Sequence, residues 1–188
     1  GTWTKPSGIK IIRVTVLGGG GGGGQDIGIY SGGGNGGGGG GLSQKTIDVT
    51  SISSETVTIG SGGTGGSSNT ARANGTSGGT SSFGSHCSAT GGTGGGGHME
   101  ASGTCTAAGV GSNGNINVRG GFGGKGINAQ NMSHGGDGGA GAMWGVDCPG
   151  GYGTASGVTV AYGSGGAGSP WYGATNGASG LIVVEEFK

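Results

Sequence analysis

The chain has 188 residues, 60 of them glycine and only 3 proline, with 29% hydrophobic residues, 9% charged residues and a formal net charge of +0. This composition leaves little material for an ordinary apolar core and lacks the net positive charge expected of a protein that grips phosphate backbones or anionic membranes, so neither nucleic acid nor lipid is expected as a partner. Collagen is excluded by the lack of proline and of a sustained Gly-X-Y register, and charge-driven disorder by neutrality, so a polar chain this rich in glycine is expected to condense.

No charged-then-apolar leader precedes Trp3, and a start at Gly1 is what a piece cut from a longer chain would show. No apolar run approaches the roughly 20 residues of a membrane span. The first element is 9–17, a β-branched, period-two run with Ile12, Val14 and Val16 on one face and Ile11, Arg13 and Thr15 on the other. Glycine tracts follow at 18–24 and at 32–41, the second with Asn35 inside. Ile47 and Val49 alternate with Thr46 and Asp48, and Val57 and Ile59 alternate with Thr56 and Thr58, which predicts two further strands. Further tracts surround Thr64 and Thr93, at 62–66 and 91–97. From Gly120, Gly135 and Gly165 onward, one side chain follows each pair of glycines.

That three-residue beat matches a polyglycine-II helix, which has three residues per turn and no internal hydrogen bonds. Each N–H and C=O must then find a neighbouring segment, and glycine is obligatory wherever two backbones touch. Val158, Val160 and Tyr162 share one face of a late strand. The closing run 181–187 is another strand, whose apolar first half suits a central position in a small sheet paired with the first. The expected fold is all-β or irregular, with essentially no α-helix: a small β-sheet scaffold of terminal and central strands, packed polyglycine-II helices and connecting loops. We expect one domain, 1–188, with strands mainly in 1–60 and 155–188 and glycine helices and loops in 61–154.

Catalytic and metal signatures fail on inspection. GxGxxG recurs by chance at this glycine density and has no helix after it, and the sequence before Lys125 has Arg119 where a phosphate loop needs its first glycine. His86, Cys87, His98 and Cys105 lack metal-ligand spacing, and the carboxylates are scattered, so no enzyme activity, metal or cofactor is expected. Three cysteines at unrelated spacings do not make a disulfide framework, which leaves open a Cys87–Cys105 bridge or buried free thiols. Aromatic residues are scarce and lie in or beside glycine tracts that have no interior room for them. Trp144, Trp171 and Tyr172, with Tyr152, Tyr30 and Phe122, are therefore the candidate contact residues, whereas Trp3, Phe83 and Phe187 are expected to cap the bundle or pack on the sheet. His98, Met99 and His134, at the edges of glycine tracts, complete the candidate binding surface.

The opening Gly-Thr-Trp-Thr-Lys-Pro-Ser-Gly-Ile, with its strand running into Leu17 and polyglycine, resembles the glycine-rich C-terminal domain of bacteriophage tail-fibre proteins. Ser-Gly-Gly-Thr-Gly-Gly from Ser61, Gly-Gly-Thr-Ser-Ser-Phe-Gly-Ser from Gly78, Ser-Ala-Thr-Gly-Gly from Ser88 and the ending from Gly177 are similar to the same family. In style the chain is also similar to T-even-like phage adhesins, where polyglycine-II helices form a layered frame and its loops carry host specificity. The resemblance implies a distal fibre tip on the virion that binds a bacterial cell-surface receptor, an outer-membrane protein or a polysaccharide. Its partners would be that receptor and the remainder of the tail fibre, as a homotrimer or a monomeric cap, with no nucleic acid and no membrane insertion. The stretches 98–105, 113–118, 127–134 and 143–148 fit no motif of the family and are where specificity loops are expected. The competing classes are an ice-binding polyglycine-II protein, which needs a flat Thr/Ala face, and a silk-like structural protein.

Overall fold

In a computed structural model, residues 1–27, 32–68, 72–97, 105–129, 132–143, 161–170 and 173–188 are described, and among them there is no α-helix. The strands are β1 (Thr2–Thr4), β2 (Ile11–Leu17), β3 (Leu42–Asp48), β4 (Ser54–Thr58), β5 (Ser81–Phe83), β6 (Cys87–Ala89), β7 (Gly111–Ser112), β8 (Ile116–Val118), β9 (Ile127–Ala129), β10 (Met132–His134) and β11 (Leu181–Phe187). Two antiparallel sheets, ordered β1-β4-β5-β6-β7 and β11-β2-β3-β8, form the scaffold, and β9 and β10 make a separate hairpin. The face of β2 predicted to point inward does so: Ile12, Val14 and Val16 are fully buried, with Ile47, Val49, Phe83, Cys87 and Ala89 in the same cluster. Trp3 packs on Phe83 with ring centroids 5.7 Å apart, in a tilted arrangement favoured by ring quadrupoles. Phe187, in contrast, is exposed beneath the Arg13 guanidinium.

The terminal strands pair as expected, from Leu181 opposite Leu17 to Phe187 opposite Ile11. The central position belongs to β2, however, and β11 is an edge strand. The apolar half of β11 is partly buried by lying next to the glycine segments and over the core, where Ile182 and Val184 pack. A strand on each side is not needed for that. Val158 and Val160 lie outside the described residues, and Tyr162 sits in a turn, half exposed, where Gly163 takes φ +74°. Cys87 is buried in the sheet core and Cys105 is exposed at the far end of the glycine segments, so the two thiols are free and no bridge joins them. Burial pushes the Cys87 thiol pKa up, keeping it protonated.

Strands and glycine segments are interleaved along the chain. The glycine-rich segments are 18–24, 34–41, 60–66, 73–79, 90–96, 105–110, 120–126, 135–141, 163–169 and 174–180. Segment 18–24 donates its N–H groups in strict rotation: Gly18 to Gly41, Gly19 to Gly79, Gly20 to Ala178, then Gly21 to Gly38, Gly22 to Thr76 and Gly23 to Thr175. Its carbonyls accept in turn from segments 90–96, 60–66 and 163–169. Six neighbours in a three-residue rotation are the hexagonal packing that a three-fold helix without internal hydrogen bonds requires. Segment 34–41 is surrounded in the same way, by 18–24, 90–96, 105–110, 120–126, 135–141 and 163–169. The remaining segments close a ring around these two, giving three layers: 73–79, 90–96 and 105–110; 60–66, 18–24, 34–41 and 120–126; 174–180, 163–169 and 135–141.

The same rotation explains why the inner segments are glycine. A Cβ added at Gly18, Gly19 and Gly20 would overlap the carbonyls of Thr90, Ser61 and Ser164, and one at Gly21, Gly22 and Gly23 those of Thr93, Thr64 and Ala167. Side chains return where no neighbouring backbone is met; some are buried, as Ser164 and Ala167 are, and on exposed positions hydroxyls latch adjacent segments. Thr93 Oγ1 donates to the Ala107 carbonyl at 2.9 Å, and the Thr64 and Thr76 hydroxyls meet at 3.0 Å.

Candidate functional site

Consecutive glycine segments run in opposite directions, as the falling partner numbers of 18–24 against 34–41 show. Alternate connections therefore leave the frame at opposite ends. One end carries the two sheets and both Gly1 and Lys188; the other carries the connections after 18–24, 60–66, 90–96, 120–126 and 163–169. At this loop end the chain must turn back in few residues, and polar side chains replace glycine just where the hexagonal bonding runs out of partners.

Gln25, 2% exposed, bridges Ala73 and Ser169 through its backbone and accepts the Ser68 N–H at its Oε1, 2.6 Å away. Asn35 Oδ1 accepts from Gly126 at 3.0 Å, and Asn74 Oδ1 from Gly97 at 2.8 Å. These amides stand in for the carbonyls of a missing turn of glycine helix. Beside them the Asp26 carboxylate, with a fully buried side chain, pairs with Arg72 Nε at 3.1 Å. A buried carboxylate has to be paired, so this contact fixes the connection after 18–24 against that after 60–66. Together these residues form a rigid platform under the loops.

Of the predicted contact residues, Tyr30, His98, Met99, Trp144, Tyr152, Trp171 and Tyr172 lie outside the described residues. His134 ends the β9–β10 hairpin at the loop end, and Phe122 is on the flank of the frame, 54% exposed, with Arg119 over its ring at 5.7 Å. Sequence reasoning missed Gln25, Asp26, Asn35, Arg72 and Asn74. Their signal was a polar residue at the limit of a glycine tract, which reads equally well as a turn.

Among the described residues there is no group of three His, Cys, Asp or Glu side chains able to hold a metal ion, and no helix long and apolar enough to cross a membrane. Fold and site together define a class: a β-sheet base, a layered frame of glycine helices, and loops gathered at the end away from the base. The chain belongs to the glycine-rich domain family, whose model matches residues 1–185. No curated protein sequence matches it.

Proposed function

We propose that this domain is the adhesin tip of a bacteriophage tail fibre, binding a bacterial surface receptor through the connections at its loop end. The observation that carries the proposal is the polarity of the frame: five connections leave at one end, beside the buried amides of Gln25 and Asn35 and the Asp26–Arg72 pair, while the sheets and both described termini are at the other. A rigid presenting surface lowers the ordering cost of binding, which is what a recognition tip needs. The remainder of the fibre would attach at the sheet end, and the domain would work by binding rather than catalysis, on the virion.

The test is retention of labelled domain on intact cells of a panel of bacterial strains, with and without protease treatment of the cells. Replacing 98–104 by a Gly-Ser linker of equal length should abolish retention without lowering the melting temperature. Alanine at Trp171 or Tyr172 should weaken it by about 2 kcal/mol or more for at least one of them, the scale of an aromatic anchor. Retention by no strain, together with thermal hysteresis of the isolated domain, would transfer the assignment to ice binding.

A further inference from the structure

The outward positions of the frame are not alike. On segments 60–66, 73–79, 90–96 and 174–180 they carry Ser, Thr, Asn and Ala, whereas 120–126 and its approach carry Arg119, Phe122 and Lys125, and the adjoining 135–141 carries Asp137. The three-residue repeat puts Arg119, Phe122 and Lys125 in one row, each step about 9 Å along the frame. Antiparallel bonding of Gly121 to Ala140 and of Gly124 to Asp137 sets Asp137 beside Lys125 in the next row. Where the seam between the two segments reaches the β9–β10 hairpin it opens into a cleft of about 470 Å³, lined by Gly124, Lys125, Ile127, His134, Gly136 and Asp137.

We propose that this seam is a second binding site, for a glycan chain, running along the flank of the frame from the β9–β10 hairpin. The mixture of groups selects the ligand. Charges of both signs argue against a uniformly anionic polymer or membrane, which would favour a single basic field. A helix or sheet from a protein partner would want a contiguous apolar face, and none is present along this row. A polyhydroxylated chain suits it: Lys125 and Arg119 donate, the exposed Asp137 carboxylate accepts, and the Phe122 ring, oriented by Arg119, offers an apolar face to the C–H side of a sugar ring. Cleft volume falls within the roughly 300–1,000 Å³ of small-ligand sites, and its glycine walls let a ligand approach the backbone closely.

The experiment is an array of defined bacterial oligosaccharides, neutral and acidic, probed with labelled domain, followed by titration of the best-retained oligosaccharide. Phe122→Ala and Lys125→Ala are each expected to weaken that binding tenfold or more. Thr93→Ala, on another face of the frame, and the linker replacement of 98–104 should leave it unchanged. Equal melting temperatures establish that the exposed-site variants fold. Retention of no oligosaccharide, loss on changing 98–104, or indifference to Phe122→Ala and Lys125→Ala would each overturn the proposal. The loop-end reading has its own readout, because binding to cells that persists in Phe122→Ala separates failure at the flank from failure at the loops.

Discussion

The sheet end and the glycine frame solve the same problem in opposite ways. In the sheets, a small number of large side chains leave water: Phe83, Ile12, Val14 and Val16 are fully buried between two layers whose strand ladders pair within each sheet. In the frame almost nothing apolar is buried except backbone, and each inner residue instead exchanges hydrogen bonds with surrounding segments. Hydrophobic burial is non-directional and tolerates volume-conserving change, whereas a backbone lattice tolerates no added atom at a contact. A net contribution of only about 0.5–1.5 kcal/mol per hydrogen bond suffices when nearly every inner residue makes such bonds and no long side chain has to be ordered.

The sharpest way to break this contrast is a single inner glycine. Gly22→Val would drive Cβ into the Thr64 carbonyl, with segments on every side and no room to shift. The domain should fail to fold, or lose more than about 4 kcal/mol, far above the roughly 1 kcal/mol of an ordinary glycine substitution. Chemical denaturation measures it, and a loss near 1 kcal/mol would mean the segments are not packed. In the sheets, Phe83→Ala should cost about 3–5 kcal/mol and leave the fold recognisable, since a cavity there can partly collapse. Circular dichroism with urea titration separates the two behaviours.

Asp26→Asn probes the boundary between frame and loops. It removes the charge partner of Arg72, a side chain 44% exposed that can turn to water, so a loss of about 1–2 kcal/mol is expected after discounting for screening. The effect should shrink at high salt, and a salt-independent loss would point to packing rather than the ion pair. The smallest effect is expected at Gly173, where an added Cβ meets the Ser67 side chain, 3.3 Å away at its hydroxyl, and the Gly66 carbonyl oxygen at an ordinary contact distance of 3.9 Å. Gly173→Ala should change stability by less than about 0.5 kcal/mol. A large loss there would erase the distinction between glycines whose added Cβ overlaps backbone and glycines whose added Cβ does not.

The two architectures also differed in how legible they were. The terminal strands could be read from sequence because β-branched residues are concentrated in Ile11–Leu17, with a period-two apolar face, and in the apolar first half of Leu181–Phe187. The three-residue beat from Gly120 onward made packed glycine helices readable, since the lack of proline had already excluded collagen, which also needs glycine at every third residue. Ser81–Phe83 and Cys87–Ala89 were not readable as strands: three residues give no period, and their small side chains match turn composition. The edge position of β11 was hidden because burial by a neighbouring frame leaves the same apolar pattern as burial between strands. At the candidate site, the exposure of Phe122 was foreseeable from the lack of interior room beside its glycines. The platform of Gln25, Asp26 and Asn35 was not, because its members are brought together by the alternating direction of segments whose boundaries blur in continuous glycine.

Backbone lattice and apolar core are equally firm parts of one folded unit. Residue-resolved amide hydrogen exchange tests this most directly, because slow exchange needs a bonded N–H that opens only rarely. Protection at Gly18–Gly24 and at 34–41 is expected to be as high as at Ile12, Val14 and Val16, with both regions opening together. Exchange near the unprotected rate in the two inner glycine segments, beside slow exchange in β2, would contradict it.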